Sequence, residues 1–286
     1  MTAPDTAHPP LPAFSHPTSF RLGVTSYVYP ADVLTNVTAL AGRVADIELV
    51  YFESRDASNM PTAADISALR GIAATHDLTF TVHLPTDIPL GCGASIERDL
   101  AVSRALKLIE LTASLRPHSY ILHLDGISAS DHAARVREWQ GEILPRLRRI
   151  VAAAPAVSPV CVENLDYPFA WCDPLLDAVQ CGVCTDAGHL WETGADWRQH
   201  LVRYLPRTRV IHLYGPNGSI HQALNNVPRE QTAAFLSSLG RFAGVLTLET
   251  FGYDDTRLSV EALSALLANR PAGAWPWTKE LKPDEA

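Results

Sequence analysis

Eight short apolar runs, each followed by a longer amphipathic stretch, constrain the fold of this chain more than any other feature. Their residues are mostly β-branched or aromatic, which is typical of strands buried on both faces. The runs are Phe20–Tyr27, Asp46–Phe52, Thr79–Leu84, Ser119–Leu124, Pro159–Asn164, Gly182–Asp186, Thr208–Tyr214 and Val245–Phe251. Eight strand–helix units within about 250 residues predict an α/β fold of the (β/α)8 TIM barrel type. A doubly wound open sheet is the alternative.

The two ends of the chain depart from this pattern. Residues 1–18 contain five prolines and little apolar periodicity, which predicts a flexible arm. Residues 271–286 predict an irregular tail. Between them, residues 19–270 show no linker, no low-complexity run and no shift of composition, so we expect a single barrel domain.

Composition and charge argue against several classes of protein. The chain of 286 residues has a net charge of -8, which disfavours a general binder of nucleic acid or of a membrane surface. No apolar run approaches the roughly 18 residues of a transmembrane helix, and the first residues lack the features of a secretory signal. Five cysteines, an odd number, argue against a disulfide framework. We therefore expect a cytoplasmic protein.

Polar residues stand at the ends of six consecutive predicted strands. In a barrel of this kind the carboxyl ends of the strands meet at one face, which is where the chemistry takes place. The strongest candidates are Glu163, Asp186, His212 and Glu249. Three further histidines extend this set, His83, His123 and His189, and His221 in the loop after the seventh strand is a weaker eighth.

Together these side chains predict a metal centre. Buried carboxylates and imidazoles cost free energy unless they are paired or bound to a metal, and several carboxylates alone would repel one another. A single strand-end histidine is more often a hydrogen-bonded core residue, and a single glutamate usually pairs with Arg or Lys. Six such positions in strand order favour divalent cations, and a mixture of imidazole and carboxylate suits Zn, Mn or Fe.

Other side chains near the same strand ends are candidates for substrate contact. Aromatic residues there predict an apolar pocket mouth, although half or more of them would also suit simple packing. The candidates are Tyr27, Tyr29, Trp191, Tyr214 and Phe251, together with Glu53. Glu48 and Glu53 could equally orient metal ligands or pair with Arg55 or Arg21.

The order of the strand-end ligands resembles that of the xylose isomerase-like barrel superfamily, which includes endonuclease IV. The resemblance covers roughly residues 20–270. It implies two or three divalent metal ions, with zinc the first choice. The endonuclease has Asp-x-His after its seventh strand where this chain has Ser219-x-His221, which puts the third metal in doubt. The matching ligand positions are His83, His123, Glu163, Asp186, His189, His212 and Glu249.

Two strand motifs carry a narrower resemblance. Residues 22–34 (LGVTSYVYPADVL) and 46–53 (DIELVYFE) resemble the cobamide-remodelling phosphodiesterases called CbiR, which belong to the same superfamily. This resemblance implies a metal-dependent hydrolase that cleaves the nucleotide loop of cobamides, the relatives of vitamin B12, to cobinamide phosphate and an α-riboside. In such an enzyme we expect Glu163 to bridge two ions and to act with Asp186 and Glu249 in catalysis.

Other activities stay open at this point. A sugar isomerase or epimerase would use one Mn or Mg ion and two carboxylates as acid and base. An abasic-site nuclease like endonuclease IV is disfavoured by the charge of -8. A barrel that binds corrinoids without catalysis is a further alternative. The number of metal ions per chain separates the isomerase from the phosphodiesterase.

Overall fold

In the computed structural model, eight parallel strands close into a barrel. The structure describes residues 9–53, 58–86, 89–218 and 220–268. Strands β1 to β7 and β10 form the barrel, with β10 closing onto β1, while β8 and β9 form an antiparallel hairpin after β7. The prediction of a TIM barrel is confirmed. The strands are β1 (Arg21–Thr25), β2 (Asp46–Val50), β3 (Thr79–His83), β4 (Tyr120–Leu122), β5 (Val160–Glu163), β6 (Gly182–Asp186), β7 (Thr208–Leu213), β8 (Gly215–Asn217), β9 (Ile220–Gln222) and β10 (Val245–Leu248).

Helices connect the strands and surround the barrel. Their starts follow local sequence: the Asp32 side chain caps the first helix, and Thr62 with Asp65 forms a capping box at the second. None of the helices in the described part of the chain combines the length and apolarity that a bilayer crossing requires. The helices are α1 (Val33–Leu40), α2 (Ala63–His76), α3 (Ser95–Thr112), α4 (Ala133–Ala153), α5 (Asp173–Val179), α6 (Ala187–Glu192), α7 (Trp197–Tyr204), α8 (Arg229–Ser238) and α9 (Tyr253–Ala268).

A small apolar floor lies inside the barrel, directly beneath the predicted site. It consists of five fully buried residues, Ile121, Cys161, Cys184, Val210 and Val245. Alternate residues of a strand face the same side, so a residue two positions after a floor residue points into the same interior. This spacing places the side chains of His123, Glu163, Asp186 and His212 above the floor, at the carboxyl end of the barrel.

Part of the predicted N-terminal arm packs on the barrel. Residues 9–18 form neither helix nor strand, but Leu11 is fully buried and its backbone N–H donates to the Tyr29 hydroxyl at 3.0 Å. The backbone N–H of Phe14 donates to the carbonyl of Arg43 at 2.9 Å. These contacts correct the prediction of a free arm for residues 9–18, because an apolar side chain holds the segment down. Residues 1–8 and the predicted tail, 271–286, lie outside the described residues.

Candidate metal centre

The structure brings all eight predicted metal ligands to the carboxyl end of the barrel. Six come from strand ends, as the fold requires of parallel strands. His189 comes from α6, and His221 comes from β9 of the hairpin. The strand-end ligands are His83 in β3, His123 after β4, Glu163 in β5, Asp186 in β6, His212 in β7 and Glu249 after β10.

Four buried ligands form an inner group around one imidazole nitrogen. Nδ1 of His212 lies 3.1 Å from Oε2 of Glu249, 3.5 Å from Oε2 of Glu163 and 3.6 Å from Oδ2 of Asp186. One ligand atom from each of the four residues lies within 4.8 Å of the others. This arrangement matches the stronger subset that the sequence predicts.

A second group shares Glu163 with the inner group. Nε2 of His83 and Nε2 of His123 lie 3.4 Å and 3.2 Å from Oε2 of Glu163. Nε2 of His189 faces the other carboxylate oxygen, Oε1, at 4.0 Å. Glu163 therefore stands between two sets of histidines, and its two oxygens face different partners.

His221 joins the cluster from the hairpin. Its Nδ1 lies 3.0 Å from the backbone oxygen of Glu249 and 3.4 Å from Oε2 of the same residue. The rings of His189 and His221 face one another nearly at right angles, with centroids 6.3 Å apart. The weaker eighth candidate thus lies beside the other seven.

Several ligand atoms are buried without a hydrogen-bond partner. They are Oε2 of Glu163, Oδ2 of Asp186, Nδ1 of His212, Oε2 of Glu249 and Nε2 of His123. Buried polar atoms are nearly always satisfied, because leaving them bare costs free energy. Here the unsatisfied atoms point toward one another, so a divalent cation would satisfy several of them at once. The residues present therefore fit a metal, and their mixture of imidazole and carboxylate suits Zn, Mn or Fe.

Charge compensation between carboxylates and imidazoles is strong in this cluster. Burial by itself lowers the pKa of His83, but the adjacent carboxylate of Glu163 raises it to about 9. Burial raises the pKa of Glu163, yet the neighbouring His123 and His212 hold it well below its usual range. A cation that binds these groups would displace protons from the imidazoles, so metal affinity is coupled to pH.

The chain around Asp186 holds this carboxylate in place. Asp186 ends β6 and caps α6, because its Oδ1 accepts from the backbone N–H of His189 at 2.6 Å. The Asn164 side chain clamps the same residue, accepting from the Asp186 N–H at 2.8 Å and donating to its carbonyl at 3.0 Å. Oδ2 of Asp186 is left to face His212. Sequence reasoning missed the role of Asn164, whose only signal is its place directly after Glu163.

The two strand-2 glutamates have different roles. Glu48 is fully buried and its Oε2 lies 2.9 Å from Nε2 of His212, so it orients a predicted metal ligand. Glu53 accepts a short hydrogen bond from the hydroxyl of Ser58, with which it forms an antiparallel bridge. Of the two interpretations left open for Glu48, the structure favours ligand orientation.

The predicted substrate-contacting aromatic residues separate into two sets. Phe251, which is half-exposed, and Tyr214 lie beside His221, with ring centroids 5.5 Å and 3.7 Å away. Tyr29 and Trp191 pack elsewhere instead: Tyr29 is buried against Tyr253, and Trp191 lies edge-on to Phe235 of α8. The strand-end pattern cannot distinguish these sets, because it does not show which way a ring turns.

Tyr27 belongs to neither of these two sets. It is partly buried, and its hydroxyl accepts a hydrogen bond from the Asn59 side chain at 2.7 Å. Its role in substrate contact stays a prediction.

A cavity of about 410 Å³ beside the centre was not predicted. Its lining includes Asn164 and Leu165, which follow Glu163 in sequence, and Leu190, which follows His189. Three mutually packed rings, Phe169, His200 and Tyr204, also line it. No motif marks this cavity, because residues far apart in the sequence form it.

The fold and the cluster define a TIM barrel with a candidate centre for divalent metal. Residues 41–270 match the family described as xylose isomerase-like TIM barrel, and the chain belongs to this family. Its members include epimerases and endonuclease IV-like nucleases, and they bind divalent metals. None of the curated proteins matches the chain at a significant level.

Solved structures share the fold at low sequence identity. A D-tagatose 3-epimerase-like protein is 19% identical with a TM-score of 0.70, over 87% of this chain and 97% of that chain. The 3-keto-D-glucoside 4-epimerase YcjR from E. coli is 11% identical with a TM-score of 0.67, over 87% and 99%. SacUVDE is 12% identical with a TM-score of 0.63, over 86% and 99%. At these identities the likeness concerns the fold alone.

Proposed function

We propose that this protein is a metal-dependent phosphodiester hydrolase that cleaves the nucleotide loop of cobamides. The observation that carries the proposal is the position of Glu163, which belongs both to the group with Asp186, His212 and Glu249 and to the group with His83 and His123. One cation cannot use all eight ligands, whereas a shared carboxylate suits neighbouring cations. Sites with two metals are typical of in-line displacement at phosphorus.

The residues fall into distinct roles in this mechanism. Glu163, Asp186, His212 and Glu249 would hold the inner ion, and His83, His123, His189 and His221 would complete the outer positions. When bound, divalent cations act as Lewis acids on a phosphoryl group and make water more acidic. Glu163 keeps the two groups together, and the buried inner carboxylates hold their negative charge away from bulk water. His123 and His189 remain partly exposed at the mouth, where a phosphate can reach them.

A cobamide suits the entrance of this site. Phe251 is a half-exposed ring that contacts His221, and Ile220, which precedes His221 in β9, is also exposed. They offer an apolar surface to a large ring such as a corrin. The two strand motifs, residues 22–34 and 46–53, support the same substrate through their resemblance to CbiR. The net charge of -8 disfavours duplex DNA as the substrate.

Mass spectrometry of cobalamin incubated with the protein tests the proposal. With Zn or Mn we expect cobinamide phosphate and α-ribazole, and with chelator we expect neither. Glu163→Gln should abolish turnover while the barrel stays folded, and Glu110→Gln, on the exposed face of α3, is the matched control. Unchanged cobalamin under every metal would reject the cobamide substrate. Full activity of Glu163→Gln with bound metal would reject the role of Glu163.

A sugar epimerase is the second candidate, and the four-residue inner group favours it. Glu163, Asp186, His212 and Glu249 by themselves provide a complete site for one ion, with carboxylates that could serve as acid and base. Two of the solved structures similar in fold are described as epimerase or epimerase-like proteins. Metal analysis separates the candidates: about one ion per chain supports the epimerase, and two or three support the phosphodiesterase.

A further inference from the structure

The ring of Tyr214 contacts both histidines that come from outside the barrel strands. It lies parallel to the ring of His221, with centroids 3.7 Å apart and an angle of 6° between the planes. It also meets the ring of His189 edge-on, with centroids 6.4 Å apart and an angle of 89°. Tyr214 follows β7, whereas His221 lies in the hairpin and His189 in α6. One buried ring therefore links two separate segments that carry ligands.

The backbone of α6 is shaped to receive this ring. A Cβ atom placed on Gly188 would lie 2.1 Å from Cζ of Tyr214 and 2.4 Å and 2.6 Å from its Cε atoms. These distances are far inside van der Waals contact, so only glycine fits beside the ring at this position of the helix. Gly188 directly precedes His189, which means that the position of the ring and the position of this ligand are coupled.

Other contacts leave the two histidines incompletely held. The backbone oxygen of Glu249 accepts from one nitrogen of His221, but this contact does not set the tilt of the ring. The nearest carboxylate oxygen to His189 belongs to Glu163, at 4.0 Å. Contact with the Tyr214 ring thus supplies the missing restraint on both imidazoles.

We propose that Tyr214 is a positioning residue for the outer metal ligands His189 and His221, because its ring sets the spacing between the two imidazoles. The ring, and not the hydroxyl, is the part that acts. The proposal rests on the metal centre of the proposed function and not on its substrate.

Metal titration without substrate tests this role. The protein is freed of metal with chelator, titrated with Zn in a calorimeter, and its metal content is measured after dialysis. Tyr214→Leu should lose one ion per chain or bind it roughly tenfold to a hundredfold more weakly, the range typical for residues that orient ligands. Tyr214→Phe keeps the ring and should bind within about threefold of the wild type.

Gly188→Ala disturbs the same contact by changing the helix instead of the Tyr214 ring. The added methyl group would push the ring away, so this variant should weaken the same binding step. Combined with Tyr214→Leu it should cause little further loss, because the smaller side chain leaves room for the methyl group. Glu192→Gln, which changes an exposed side chain of the same helix, is the control and should keep the wild-type titration.

Either of two results with the variants would overturn the proposal. Tyr214→Leu and Gly188→Ala could both retain the wild-type number of ions and their affinities, or Tyr214→Phe could lose the ion and so implicate the hydroxyl. If Tyr214→Leu does not fold, the titrations of Gly188→Ala and Tyr214→Phe decide whether the ring positions the two histidines. If the wild-type protein binds only one ion per chain, both the ion position beside His189 and His221 and the centre with several ions are rejected. A failed cobamide assay leaves the titration unaffected, so the two failures are distinguishable.

Discussion

Nε2 of His212 lies 2.9 Å from Oε2 of Glu48, and both side chains are completely buried. An ionised carboxylate only accepts hydrogen bonds, so Nε2 must carry the hydrogen. Nδ1, the nitrogen left to bind a cation, faces Glu163, Asp186 and Glu249, the other members of the inner group. A carboxylate that orients a metal-binding histidine in this way also makes the imidazole a stronger ligand.

Replacing Glu48 should therefore weaken metal binding without removing a ligand of the inner group. In Glu48→Met the acceptor is lost and the volume is nearly kept, so we expect affinity for the inner ion to fall roughly tenfold to a hundredfold. In Glu48→Gln the affinity for the inner ion should fall less, because the amide oxygen can still accept a hydrogen bond from Nε2 of His212. Competition titration against a chromophoric chelator measures both, with Glu110→Gln as the control. An unchanged affinity of the Met variant would show that His212 is oriented by other groups.

Removing the metal should destabilise the fold. Without a cation, the unsatisfied oxygens of Glu163, Asp186 and Glu249 stay buried beside one another. A ligand that binds only the folded state at one hundred times its dissociation constant stabilises it by about 2.7 kcal/mol. Urea unfolding with metal and with chelator measures the difference. Glu163→Gln should show a smaller response to metal, and an identical midpoint with and without metal in the wild type would contradict the metal assignment.

Stability should also depend on Asp46, at the opposite end of the barrel from the metal centre. Burial raises its pKa from 3.8 to about 6, although the hydrogen bond from Thr79 acts to lower it. The folded state therefore binds the proton more tightly than the unfolded state, so this contribution to stability is full below pH 4 and is lost as the pH rises to 6. We expect Asp46→Asn, which avoids the buried charge, to be more stable than the wild type above pH 6, by up to about 3 kcal/mol.

Urea unfolding at several pH values between 4 and 8 checks this dependence. The advantage of Asp46→Asn should shrink as the pH falls from 6 to 4, because the folded state gains the proton before the unfolded state does, and disappear only below the unfolded value of 3.8. Glu110→Gln, on the exposed face of α3, controls for the loss of one surface charge. A constant difference between Asp46→Asn and the wild type across this range would mean that the carboxyl does not titrate on unfolding.

Much of the candidate site follows from the order of residues alone. His83, Glu163 and Asp186 each lie within the last two residues of an apolar run, and parallel strands of a barrel bring such ends to one face. The prediction needs no knowledge of side-chain direction, because each ligand is the last polar residue of its strand. The same reasoning fails for Trp191 and Tyr29, which lie near strand ends in the sequence but turn toward other elements.

The sequence by itself determined the barrel, its eight strands and the eight candidate ligands, because apolar periodicity and strand ends are local features of the chain. Only the tertiary structure decided which atoms meet. Pairing of Glu48 with His212 depends on closure of the barrel across 164 positions of the chain. The hairpin that carries His221 and the contact of Tyr214 with Gly188 likewise depend on side-chain direction and close packing, which local patterns do not encode.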